Sequence, residues 1–299
     1  MKALVGAGGG PKGAWSAGAL KACNEYGLLH DVARGYGNSV NAINIPYLCQ
    51  EEFSPRSFEN IKELWMKAVD KDVFKNWLVP YLPALWQGGL ASIDPLRKFL
   101  EPYIRHEKAL TSRVPAYVSA WNLNKKRMEF GCSRSGNFVE WILASAAHPI
   151  WFEPVQIENC WYTDGGVVDV TPVKQAIKDG CNELLVFLHT PVEAEDTEWG
   201  EKDSEGEFFR PGIIARTFQE FEVAMDARLD DDLGYVEAIN KAVLAGVEGF
   251  ENKRYISMTV FRPKKALNVD MPHFRPEDSK RLFEDGYRET AETLQMRST

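Results

Sequence analysis

The chain has 299 residues, of which 44% are hydrophobic and 26% charged, an ordinary composition for a globular protein. Its 35 Lys and Arg residues against 43 Asp and Glu give a formal net charge of −8, which argues against a nucleic-acid partner. No run of apolar residues is long enough for a membrane-spanning helix. We see no repeat or linker, and therefore predict one domain over residues 1–299, with a motif-bearing core at about 2–190 and a mostly helical continuation at about 191–299.

The N-terminal residues run straight into glycines and lack the apolar stretch of a secretory signal. We therefore expect a cytoplasmic protein, or one exported without an N-terminal signal peptide. The five cysteines form no Cys-x-x-Cys pair, which favours reduced thiols over a metal site or a disulfide framework.

The first fifty residues contain two strand-turn-helix units, which favour an α/β fold. Residues 2–5 and 30–36 have the composition of strands. Each is followed by a turn and a helix, at residues 14–26 and 40–48, and Pro46 is expected to disturb the second helix.

Residues 54–104, rich in Trp, Leu and Pro, are predicted to be a helical insertion. The tryptophans of this stretch either pack in the core, cover an acyl pocket or dip into a membrane interface; they include Trp65, Trp77 and Trp86. The later predicted elements are a hairpin of strands at 115–124 and 127–132, a helix at 138–147, a turn at 162–168, a helix at 172–178, a buried strand at 183–189, helices at 213–229 and 233–245, a strand at 255–261 and a final helix at 276–294.

Residues 193–207 contain eight acidic residues and one lysine, and are most simply a solvated loop. Such a segment would repel anionic lipid if it lay near a lipid-binding site. It therefore favours neutral or zwitterionic lipids, if the ligand is a lipid.

A glycine-rich loop lies between the first strand and the first helix, and comprises Gly8, Gly9, Gly10, Lys12 and Gly13 with one intervening proline. Without side chains, backbone N–H groups can approach an anion at the positive end of a helix. The loop could be a plain tight turn, a phosphate site of the Gly-x-Gly-x-x-Gly type, or an oxyanion hole.

A second strand-to-helix turn presents Ser39, between Gly37 and Asn41. Such a turn can expose a serine hydroxyl as a nucleophile, with the N–H of Val40 as an oxyanion donor. A serine there can equally be a helix N-cap. Asn41 stands where the Gly-x-Ser-x-Gly pattern has its second glycine.

A third turn contains Asp164, followed by Gly165 and Gly166. Aspartate before two glycines is usually a turn former. The same turn could present the carboxylate as a general base to a serine.

Together with residues 144–155, these three segments resemble the patatin-like phospholipase family in order and spacing. The resemblance covers residues 2–190. It implies a three-layer α/β/α fold with a central, mostly parallel sheet, and hydrolysis of acyl esters of lipids or phospholipids without a metal or organic cofactor. Peripheral membrane contact would follow from such a substrate, and a protein activator is left open.

The resemblance also implies roles for individual residues. Ser39 matches the nucleophile and Asp164 the base of a Ser-Asp dyad. The glycines at positions 8 to 10 match the oxyanion loop, and Lys12 stands where the family has a basic residue. Since proline has no N–H, the expected oxyanion donors are the N–H groups of these glycines, of Lys12 and of Val40. Asn41 departs from the family pattern, because a β-carbon there takes up space, so the elbow is either shifted or faced by another small residue.

Two alternatives remain at this stage. The first is a lipid-binding protein of the same fold that has lost turnover through Asn41. The second is a dinucleotide-binding module built on Gly8, Gly10 and Gly13, which needs an acidic residue at the end of the second strand. Asp31 is near in sequence, but it lies at the start of that strand.

Overall fold

In the part of the chain that the structure describes, eight strands form one sheet through the middle of the molecule. The computed structural model describes residues 1–73, 75–76, 89, 91–149, 151–191, 201–202, 208–209, 213–247, 254–269 and 273–298. The strands are β1 (Lys2–Gly6), β2 (Val32–Gly37), β3 (Lys75–Asn76), β4 (Ala91–Ser92), β5 (Ala116–Asn122), β6 (Arg127–Cys132), β7 (Val155–Ile157), β8 (Cys160–Asp164), β9 (Glu183–Phe187), β10 (Glu201–Lys202), β11 (Phe208–Phe209) and β12 (Ser257–Phe261). The helices are α1 (Gly13–Glu25), α2 (Asn41–Gln50), α3 (Pro55–Lys67), α4 (Asp70–Val73), α5 (Asp94–Leu100), α6 (His106–Thr111), α7 (Phe138–Ala146), α8 (Val173–Lys178), α9 (Ile213–Leu244) and α10 (Pro276–Ser298).

The strands of the central sheet lie in the order β12-β9-β1-β2-β5-β8-β7, with β6 paired to β5. Helices cover both faces of this sheet, as the α/β prediction requires. Alternate residues of β1 point to opposite sides, so that Leu4 joins one core while Ala3 and Val5 join the other. The first core is closed by α1, α2, α3, α7 and α10, and the second by α8 and α9. Strands β12, β9, β1, β2 and β5 are parallel, whereas β6, β7 and β8 add antiparallel pairs.

Strands β2 and β8, which lead into two of the sequence motifs, approach each other end to end along one edge of β5. Gly37, at the end of β2, pairs with Val118, and Asp164, at the end of β8, pairs with Ala120. Because β6 occupies the other edge of β5, both strands lie on the same edge and run toward each other. The turns that follow them therefore face one another across Ser119.

Three local predictions were wrong. Helix α2 continues through Pro46 to Gln50, because every residue of α2 is buried and packing outweighs the lost backbone hydrogen bond. The 162–168 turn begins only after Asp164, since residues 162–164 belong to β8. The two helices predicted at 213–229 and 233–245 are one helix, α9.

The two predicted helices were separated at residues 230–232, which are three consecutive aspartates. Asp232 is buried, and it accepts a hydrogen bond of 2.6 Å from the Thr171 hydroxyl and pairs with Lys174 at 2.6 Å. A partnered carboxylate of this kind can be tolerated inside the fold, so the polar run does not force a turn. Helix α9 is thereby tied to the segment that follows β8.

The tryptophan and acidic segments are only partly covered by the structure. Trp65 is buried in the first core, so for this residue core packing is the correct alternative. Trp77, Trp86 and the 193–207 segment lie outside the described residues, apart from the two residues of β10. Among the helices that are described, none has the length and apolar character needed to cross a bilayer.

The C-terminal helix α10 crosses α1 at two glycines. A β-carbon on Gly286 would collide with the Trp15 carbonyl, and one on Gly18 with the Phe283 carbonyl. We therefore expect Gly286→Ala to lower the free energy of unfolding by about 3 kcal/mol, as overpacking of a rigid contact does. Urea denaturation followed by circular dichroism measures this change.

Gly234 in α9 is the matched control, since nothing lies within 4 Å of the position of its β-carbon. Gly234→Ala should leave stability unchanged or raise it by up to about 1 kcal/mol, because alanine favours a helix. Equal stabilities of the two variants would contradict the close α1–α10 crossing.

Candidate active site

Ser39 occupies a strained turn between β2 and α2. Its backbone φ is +49°, in the left-handed region that residues with a side chain seldom adopt. The turn is tight because a β-carbon on Gly37 would collide with the backbone of Asn41. The Ser39 N–H donates to the Ser145 hydroxyl at 2.9 Å, and Ser39 itself is partly exposed. The turn therefore holds a serine hydroxyl at the edge of an otherwise buried region.

Asp164 faces this serine from the end of β8. Its Oδ1 accepts a hydrogen bond of 2.8 Å from the Gly166 N–H, so that Asp164 caps the N-terminus of the short 3-10 helix Gly165–Val167. Burial raises the pKa of Asp164 to about 6, while hydrogen bonds from the Ser39 side chain and the Gly166 N–H partly oppose that shift. Because β2 and β8 end opposite each other on β5, the Asp164 carboxyl lies on the side of the Ser39 turn, and its raised pKa suits a group that accepts a proton near neutral pH.

The glycine loop follows β1 and forms a short 3-10 helix at Gly10–Lys12 before α1 begins. The Gly8 N–H donates to the Val170 carbonyl at 3.3 Å, and the Lys12 N–H donates to the Gly9 carbonyl at 3.1 Å. Of the five expected oxyanion donors, these two already have acceptors. Within the described part of the chain, the N–H groups of Gly9, Gly10 and Val40 have none. These three amides are therefore available to a ligand.

Asn41 fits into the elbow because a glycine faces it. A β-carbon on Gly6 would lie 2.5 Å from the Asn41 β-carbon, so the smallest residue stands opposite the departure from the family pattern. The Asn41 side chain is fully buried and donates to the Ala7 carbonyl at 2.8 Å. Of the two outcomes expected for the elbow, the structure shows the second, a neighbouring small residue.

The other motif glycines also mark close approaches. A β-carbon on Gly13 would collide with the Val40 side chain, and one on Gly165 would lie 2.8 Å from the Asn38 Oδ1. Gly13 thus lets α1 start against the elbow, and Gly165 lets the Asp164 turn pack against it.

A comparison with protein families decides the assignment. The model of the patatin-like phospholipases matches residues 4–177, more than half of the chain. The chain belongs to the patatin-like phospholipase family. No curated protein matches it. Among solved structures, it is similar to VipD from Legionella pneumophila, at 14% sequence identity and a TM-score of 0.43, over 99% of this chain and 66% of that one.

The patatin-like motifs are supported by residues that the sequence did not single out. Ser119 donates from its hydroxyl to the Asn38 Oδ1 at 2.7 Å, and Asn38 donates in turn to the Val170 carbonyl at 3.4 Å. Val170 thereby holds both the elbow and the glycine loop. Ser145 lies in the family-like block at 144–155, which was the one available signal, whereas Ser119 and Val170 belong to no motif.

The structure of this patatin-like chain does not support the alternative of a dinucleotide-binding module. Asp31 precedes β2 instead of ending it, and pairs with Lys2 at 2.6 Å on the surface. It therefore does not lie where a ribose-binding carboxylate belongs in a dinucleotide-binding fold.

Proposed function

We propose that this patatin-like protein is a serine acyl hydrolase that cleaves acyl esters of lipids with a Ser39-Asp164 dyad. The observation that carries the proposal is that β2 and β8 end opposite each other on β5, so that the turn with the partly exposed Ser39 faces the buried Asp164. Burial raises the pKa of Asp164 to about 6, which suits a general base.

The proposed reaction has two steps. Asp164 takes the proton of Ser39 while the serine oxygen attacks the ester carbonyl, and the resulting oxyanion accepts hydrogen bonds from free backbone N–H groups. The tetrahedral intermediate then collapses, and the leaving alcohol takes the proton back from Asp164. Water repeats the sequence on the acyl-enzyme, releasing the fatty acid and restoring Ser39.

The free N–H groups support a narrower oxyanion hole than the sequence suggested. Gly9, Gly10 and Val40 remain as donors, because the amides of Gly8 and Lys12 already have acceptors. Each such donor typically contributes about 3 to 4 kcal/mol to the stabilisation of the transition state.

The test is release of a chromophore from short-chain and long-chain p-nitrophenyl esters by the wild-type protein. Turnover of either ester supports the proposal, and a faster reaction with the long chain supports a lipid substrate. A folded protein that cleaves no ester but retains lipid vesicles would favour the lipid-binding alternative, in which Asn41 has removed turnover.

The pH dependence of this reaction provides a further prediction. Because Asp164 must be ionised to accept a proton, kcat/KM should rise with pH through about 6 and level off above about 7. Initial rates between pH 4.5 and 8.5, corrected for spontaneous hydrolysis, measure the profile. A flat profile across this range would contradict Asp164 as the base.

A further inference from the structure

A buried histidine holds the backbone of the glycine loop. His189 follows β9, and its Nδ1 lies 2.8 Å from the Gly8 carbonyl oxygen. On the other side of the ring, Nε2 lies 2.6 Å from the Ser16 hydroxyl on α1. Ser16 is 0% exposed and His189 5%, so this pair is enclosed and cannot reach a bulky ester as a nucleophile and base.

The hydrogen-bond partners fix where the His189 proton lies. Burial lowers the pKa of His189 to about 4, helped by the nearby positive charge of Lys12 and opposed by the bond to Gly8, so the ring is neutral at pH 7. A carbonyl oxygen can only accept, so the proton is on Nδ1. Nε2 is then an acceptor, and the Ser16 hydroxyl donates to it.

The bond to Gly8 also sets the direction of an oxyanion donor. In a trans peptide the C=O and the following N–H point to opposite sides. With the Gly8 C=O held toward His189, the Gly9 N–H points away from the ring, and it has no partner in the described part of the chain. A β-carbon on Gly9 would collide with the imidazole, so the ring packs directly against the loop.

We propose that His189 is a positioning residue, which orients the Gly8–Gly9 peptide so that the Gly9 N–H faces the oxyanion formed at Ser39. This inference rests on the proposed function. His189 touches no reacting atom in this scheme. It acts through the backbone that it holds.

A chain of buried side chains keeps His189 in this tautomer. Asn41 donates to Ser16 at 3.3 Å as well as to the Ala7 carbonyl, and Asn44 donates to the Asn41 Oδ1 at 3.1 Å. The Trp65 indole N–H donates to the Asn44 Oδ1 at 2.9 Å. Every link has one donor and one acceptor, so the network has a single consistent proton arrangement. Asn41 thus connects the elbow to the loop, which a glycine at this position could not do.

Three substitutions distinguish the effect of the hydrogen bond to Gly8 from the effect of the packing of the imidazole ring. His189→Phe keeps a ring but removes the donor. His189→Asn places an amide N–H near the position of Nδ1 and preserves the bond. Ser16→Ala removes the hydroxyl that fixes the tautomer. Ser133→Ala serves as the control, because it removes another buried hydroxyl, which accepts from the Ala116 N–H at the start of β5.

The kinetic readout distinguishes positioning from general destabilisation. In His189→Phe, kcat should fall about 100-fold with KM unchanged, as loss of a well-aimed oxyanion donor does. Ser16→Ala should lose about 10-fold, whereas His189→Asn and Ser133→Ala should stay within about 3-fold of the wild type. Binding of a trifluoromethyl ketone, which forms an oxyanion adduct with serine, should weaken in parallel with kcat, while binding of the matching methyl ketone should not change.

A folded His189→Phe variant with wild-type kcat would overturn the proposal, as would equal weakening of both ketones. If His189→Phe does not fold, the kinetics of His189→Asn and Ser16→Ala test the proposal instead. A 100-fold loss of kcat in a well-folded His189→Asn variant contradicts the proposal.

The histidine ¹⁵N NMR spectrum of the wild type is an independent test that needs no turnover. The spectrum should show the Nδ1–H tautomer at pH 7. An Nε2–H tautomer would overturn the inference even in an active enzyme. An inactive wild type with the Nδ1–H tautomer would count against the proposed function alone.

Discussion

Ser39→Ala is expected to lower kcat for ester hydrolysis by about 10⁴-fold or more, because the attacking oxygen is removed and the remaining site contributes only binding and oxyanion stabilisation. Asp164→Asn should cause a loss of similar size, since an amide cannot accept the serine proton. Initial rates with p-nitrophenyl esters at pH 8 measure both.

Two controls accompany these variants. Ser16→Ala removes a buried serine that touches His189, and should retain about a tenth of the activity instead of losing it. Asp164→Asn should also unfold at the same or a higher urea concentration than the wild type at pH 8. The raised pKa of Asp164 means that its ionised form costs about 3 kcal/mol of stability above pH 6, a cost that disappears below pH 4. Residual activity above a hundredth of the wild type in Ser39→Ala would contradict the dyad.

Gly6→Ala is expected to lower the free energy of unfolding by about 3 kcal/mol. Its added β-carbon would lie 2.5 Å from the Asn41 β-carbon and 2.8 Å from the Ile45 side chain, in a region that has no room to give. The double variant Gly6→Ala/Asn41→Gly should recover about 2 kcal/mol of this loss, because the second substitution removes the colliding side chain. Urea denaturation of the four proteins in this cycle measures the coupling.

Gly136 provides the control for this cycle, since nothing lies within 4 Å of its β-carbon position. Gly136→Ala should be close to neutral, and its effect should add to that of Asn41→Gly without coupling. Strict additivity of Gly6→Ala and Asn41→Gly would show that the two positions do not compensate each other.

The local elements of this fold were predictable because the sequence marks their ends. Runs that stop at glycines gave β1 and β2 within a few residues, an apolar run at 183–189 gave β9, and the 115–132 hairpin was correct. Local rules failed where tertiary contacts outweigh them. Pro46 does not end α2 inside a fully buried helix, and α9 continues through residues 230–232, where the buried Asp232 carboxylate is paired.

In the candidate site, too, local features were predictable from the sequence and long-range contacts were not. The turns that present Ser39 and Asp164 are short-range features, and their residues stood out at once. That the two turns meet depends on β2 and β8 sharing one edge of β5, a long-range pairing that no local pattern encodes. His189 could not be singled out, because its role comes from a carbonyl 181 residues away in the chain.

The most direct test of the central claim is the reaction of the wild-type protein with a fluorophosphonate that carries a long alkyl chain. A serine nucleophile displaces fluoride from phosphorus and keeps the label, so intact mass spectrometry followed by peptide mapping locates it. We predict one label per chain, on Ser39, and none in Ser39→Ala. A label on Ser16 or Ser145, or a folded wild-type protein that stays unlabelled at pH 8, would contradict the assignment of Ser39 as the nucleophile.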